Sequence, residues 1–119
     1  GSGGGGETGG KGGGLIKINA FNLTLDGLIS ANGSNGTKLG SCGGSGGGSG
    51  GSIYITTNVF EGTGLILVNG GQGYDSLGGG GAGGRTAIYS QLNNFSGSIE
   101  VKGGSGYQNG QDGTIFLGE

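Results

Sequence analysis

LIKINAFNLTLDGLISANG, from Leu15 to Gly33, decides the fold because the chain repeats it twice. SIYITTNVFEGTGLILVNG from Ser52 and RTAIYSQLNNFSGSIEVKG from Arg85 align with it without a gap. Apolar residues fall in columns: Ile16/Ile53/Thr86, Ile18/Ile55/Ile88, Ile29/Ile66/Ile99 and Ala31/Val68/Val101. A glycine recurs at Gly27, Gly64 and Gly97, and a fourth copy opens at Thr114, placing Ile115 and Leu117 in the first two columns. Such repeats are supersecondary units that hide an apolar face only by stacking on a neighbour.

Within a block the spacing is fixed: 13 residues separate Ile16 from Ile29, Ile53 from Ile66 and Thr86 from Ile99. Between blocks it shrinks, from 22 residues (Ala31 to Ile53) to 18 (Val68 to Thr86) to 14 (Val101 to Ile115). Stacked strands tolerate no insertion, whereas surface connections do. The apolar period inside a block is two, and β-branched residues fill the inward columns, so the blocks read as strands and no helix is expected. Leu28 and Leu65 are apolar on the outward parity, which implies cover from the glycine-rich segments or from another copy. The shared glycine marks a corner that needs either a positive φ or a close backbone approach.

Two all-β folds fit. One is a glycine-rich parallel β-solenoid of about three repeats, 29 to 37 residues long, within a single domain spanning residues 1–119. Its blocks are 14–33, 51–70, 84–103 and a partial 113–119. The other is an antiparallel β-sandwich with long glycine-rich loops. Identical columns at fixed spacing favour the solenoid.

Glycine supplies 39 of 119 residues, yet proline is absent and runs such as GGGG break any triplet, which removes collagen. Runs such as Gly43 to Gly51 are either flexible or laid down as extended, polyglycine-like segments. Ordering them costs about 1–2 kcal/mol per residue, so they need hydrogen bonds in return. Net charge is −2 with no basic cluster, which argues against nucleic acid. No apolar run reaches the ~18–20 residues of a membrane span. The chain opens on Gly1 and reads as a processed product or a segment of something longer.

The spacing GGG-x-I-x-I, then DG-x-I-x-A-N-G, GGGSGGSI and GGGGAGGR is carried by Gly14 to Ile18, Asp26 to Gly33, Gly46 to Ile55 and Gly78 to Arg85. It resembles glycine-rich repeats of very large secreted and cell-surface proteins, among them proteins of extracellular filaments and mastigonemes. The resemblance implies a β-solenoid structural repeat and no catalytic residue.

Chemistry-bearing motifs are few. Gly70 to Leu77 fits one Gly-Gly-X-Gly-X-Asp-X-apolar nonapeptide, making Asp75 the candidate Ca²⁺ ligand; the next copy has Gln108 in its place. No other cofactor is expected. Sequons begin at Asn22, Asn32, Asn35 and Asn94, of which Asn32 and Asn35 are the better placed for a glycan. The single Cys42 is a candidate for an intermolecular disulfide. With no His there is no ordinary Ser–His or Cys–His pair, and the seven acids are spread thinly, so the chain does not read as an enzyme. The expected role is structural: a subunit or repeat segment of an extracellular filament or cell-surface appendage. Copies would stack head to tail through the strands carrying Ile16, Ile18, Ile115 and Leu117. The alternative is a carbohydrate-binding or adhesive surface module, stabilised by calcium.

Overall fold

In the computed structural model, which describes residues 9–39, 43–75 and 77–119, the chain is all β and winds as a parallel solenoid of about three turns. In chain order the strands are β1 (Leu15–Thr24), β2 (Leu28–Ser30), β3 (Lys38–Leu39), β4 (Gly43–Gly44), β5 (Ser52–Gly62), β6 (Leu65–Leu67), β7 (Arg85–Phe95), β8 (Ser98–Glu100) and β9 (Thr114–Gly118). The long strands form one sheet, β1-β5-β7-β9, and the short ones a second, β2-β6-β8, both parallel. Strands β3 and β4 make a small antiparallel pair in the longest connection.

Register follows the sequence columns residue for residue: Ile16↔Ile53↔Thr86↔Ile115, Ile18↔Ile55↔Ile88↔Leu117 and Ile29↔Ile66↔Ile99. A one-residue slip would turn every column outward, so burial of one face fixes the pairing. Ile53, Ile55, Phe60, Ile66, Val68 and Ile88 are fully buried, with Leu25, Ala31 and Val101 nearly so. Ile16, Ile18 and Ile29 close this core from the first coil.

Each long strand bends once. The ladder runs through Ala20↔Thr57↔Ser90, skips Phe21, Asn58 and Gln91, and resumes at Asn22↔Val59↔Leu92. Inward parity shifts with it, from Ile53, Ile55 and Thr57 to Phe60. The Thr57 hydroxyl lies 3.1 Å from the carbonyls of Phe21 and Val59, on either side of the interruption. Close approach explains the recurring corner glycine in two copies, since a Cβ at Gly64 would collide with the Gly27 carbonyl and one at Gly97 with the Gly64 carbonyl. Gly27 itself has open space and needs neither close approach nor a positive φ. Leu28 remains 60% exposed, so the glycine-rich segments do not cover it.

Those segments are ordered. Residues 9–14, 46–51, 79–84 and 108–113 lead into the long strands and stack as four entry rows; 31–36, 68–73 and 101–106 leave the short strands as three exit rows. Bonds between successive entry rows recur every third residue: Gly10 and Gly13 donate to Gly46 and Ser49, Gly47 and Gly50 to Gly79 and Ala82, and Gly80 and Gly83 to Gln108 and Gln111. Exit rows do the same, with Gly33 and Gly36 donating to Asn69 and Gln72, and Gly70 and Gly73 to Lys102 and Ser105. Three residues per turn without internal hydrogen bonds is the geometry of a polyproline-II-type helix. A zigzag of cross-layer bonds, from Lys11 through Ser34, Gly48, Gly71, Gly81 and Gly104 to Gly110, locks the two layers together. The lamella extends the coil sideways and gives a molecule of 52 × 21 × 19 Å.

Candidate functional site

The two ends of the long sheet are the first candidate. In a parallel ladder alternate residues bond to alternate sides. Thr114 donates its N–H to Gly84 on the β7 side, which leaves Ile115 and Leu117 to present theirs to the open edge. At the other end Gly14 accepts from Ser52, so Ile16 and Ile18 bond inward, and Leu15 and Lys17 face the outer edge. The apolar columns open in step. They are buried at Ile53 and Ile55, half-buried at Ile16 and Ile18, and 44% and 55% exposed at Ile115 and Leu117. All four expected assembly residues therefore lie on the two end strands. Phe116, 55% exposed on the opposite parity, packs its ring 5.5 Å from Tyr89.

A second candidate lies at the strand bend. Asn19, Phe21, Thr56, Asn58, Tyr89 and Gln91 line an open groove of about 500 Å³ across the coils. Phe21 is 76% exposed at its rim. Carboxamides, hydroxyls and exposed rings side by side can hydrogen-bond and stack on a polar ring. The sequence offered a signal here, polar residues at the skipped position of two copies (Asn58 and Gln91), but it carried meaning only once the bend was known.

The four sequon asparagines are all exposed. Asn32 and Asn35 also tie coils together: their Oδ1 atoms accept the backbone N–H of Asn69 (2.8 Å) and Gln72 (2.9 Å), and Asn69 accepts from Lys102 (2.8 Å). Asp75 sits in an exposed turn with φ 51°, a left-handed conformation Asp tolerates better than most residues. Among the described residues no three His, Cys, Asp or Glu side chains gather as a metal would need. Cys42 lies outside the described residues. Asp26 accepts from the Thr63 N–H of the next coil (3.1 Å), and Glu61 from the Thr24 hydroxyl (3.3 Å). Tyr74 and Tyr107 share a backbone role, donating to Ser45 and Gly78 of the coil before, but not a side-chain one. Tyr74 packs on Gly44, whereas Tyr107 is 76% exposed.

Among the described residues no helix is long and apolar enough to cross a membrane. No family model, curated protein or solved structure matches the chain.

Proposed function

We propose that the chain is a structural repeat segment of an extracellular filament or cell-surface appendage, in which copies join end to end by adding strand to strand. The observation that carries this reading is the invariant register of β1, β5, β7 and β9, whose outer strands have no second ladder partner and carry half-open apolar columns among the described residues. A bare parallel edge is a template for another strand. Leu15 of a second copy, placed against β9 as Thr114 is placed against β7, meets the groups that Ile115 presents. Heterologous contacts of this kind do not close, and they give open polymers. An extracellular setting draws on the exposed sequons and the odd cysteine, which suits a link between copies.

Sedimentation velocity across a concentration series, with and without reductant, tests the reading. Concentration-dependent growth, lost in Ile115→Pro, is the expected result. That variant removes an edge N–H while sparing the bonds to β7, and proline is tolerated on an edge. A monodisperse monomer at the highest concentration under oxidising conditions contradicts it.

The groove at the bend favours a second reading, a glycan-binding surface module. Titration with oligosaccharides against wild type and Asn58→Ala separates the two, since Asn58 lies on β5 and not on the β9 strand.

A further inference from the structure

Among the described residues the first and last rows of the glycine lamella carry side chains where the repeat has glycine. Along the zigzag the residues are Lys11, Ser34, Gly48, Gly71, Gly81, Gly104 and Gly110. A Cβ at Gly48 would strike the Lys11 carbonyl, one at Gly71 the Ser34 carbonyl, one at Gly81 that of Gly48, one at Gly104 that of Gly71, and one at Gly110 that of Gly81. In this column every Cβ would point into the row before, and only the first two members carry one. Lys11 and Ser34, both exposed, occupy the space that a preceding pair of rows would need.

The other end is closed by substitution. Entry-row positions 10, 47 and 80 are glycine because a Cβ there would strike the exit-row carbonyls of Ser34, Gly71 and Gly104. Positions 13, 50 and 83 face Ala31, Val68 and Val101 in the same way. In the fourth entry row these two positions are Asn109 and Asp112, which leaves no room for a fourth exit row. Their side chains do its work instead. Gly33 and Gly70 donate to the next exit row, but Gly103 donates to Asp112 Oδ1 at 3.0 Å. Gly36 and Gly73 donate likewise, but Gly106 donates to Asn109 Oδ1 at 3.3 Å. The asparagine ladder stops in step: Lys102, following Asn32 and Asn69, has no carboxamide to pass on. The two side chains thus accept the N–H groups that, in the earlier exit rows, bond to the next row.

We propose that the four entry and three exit rows of the described residues form a bounded lamella, and that a second copy of the chain docks on the β9 edge through its strands alone. In the repeat's own register, Lys11 of the incoming copy would drive its Cβ into the Gly110 carbonyl. The glycine rows therefore part at the junction while β1 pairs with β9. A filament built this way has continuous sheets and an interrupted lamella. The docking half of this proposal rests on the filament reading above; the closure of the lamella does not.

Two measurements decide it. The first compares the critical concentration for assembly of wild type and Ser34→Tyr by sedimentation. An unchanged value is expected, since Ser34 faces no partner at the junction; a rise of about tenfold or more means that the lamella takes part in stacking and overturns the docking. If wild type does not assemble, the filament reading and the docking fall together. The second measurement is amide hydrogen exchange on the monomer, comparing wild type with Asp112→Gly. Exchange at Gly103 is expected to rise about tenfold with Gly70 unchanged. Unaltered exchange at Gly103 overturns the cap.

Discussion

Thr86 sits in a column otherwise filled by Ile16, Ile53 and Ile115, is 1% exposed, and leaves its Oγ1 without a partner among the described residues. Thr57, in the coil before, is also buried, at 6% exposed, but has two carbonyls within 3.1 Å. The contrast separates a satisfied polar group from an orphan. Thr86→Val keeps the shape and removes the orphan, and should stabilise the protein by about 1–2 kcal/mol, read from the denaturant midpoint. Glycines divide in the same way. Gly71→Ala, whose Cβ would strike the Ser34 carbonyl, should cost about 2–3 kcal/mol or more. Gly27→Ala has open space around the new methyl group and should cost nothing, or add up to about 1 kcal/mol through the unfolded chain. Thermal unfolding of the two variants side by side checks the pair; equal losses would contradict the close-approach account.

Among the elements, the long strands were legible and the glycine rows were not. Column identity at a fixed 13-residue spacing predicts both parallel sheets and their register, because side-chain period and burial leave one solution. The bend was hidden by the third copy. Leu23 and Phe60 share a column just past the skip, but Asn93 breaks it. Phe95 supplies the missing apolar surface from two residues further along, its ring stacked 4.6 Å from that of Phe60. Phe60→Ala should therefore cost about 3–5 kcal/mol and loosen the third coil, visible as faster amide exchange in β7. The glycine rows offered no such pattern, since glycine has no side chain to alternate. Their signal lay in the exceptions: Asn32 and Asn35, Asn69 and Gln72, and Lys102 and Ser105 stand three apart in each exit row. Three is the period of an extended helix of the polyproline-II type. Read this way, the hydrogen bonds that the glycine runs need come from neighbouring rows.

The whole molecule combines two modes of stacking with different ends. Among the described residues the sheets finish on exposed edges and open apolar columns, and the lamella finishes on Lys11, Ser34, Asn109 and Asp112. Continuing the columns onto a second copy would bury the exposed parts of Ile115 and Leu117, each worth on the order of 1 kcal/mol, besides the new ladder. These contributions are small for one junction, which places assembly in a concentration-dependent range. The end strands could be located from the repeat alone. Which surface around them was closed could not, because the caps are ordinary polar residues until the coordinates show whose N–H they accept. X-ray fibre diffraction of concentrated, aligned protein is the most direct test of end-to-end growth. The account predicts a meridional reflection near 4.8 Å, one per coil along the filament axis. An isotropic pattern from monomers that never align, or strands lying along the axis, would contradict it.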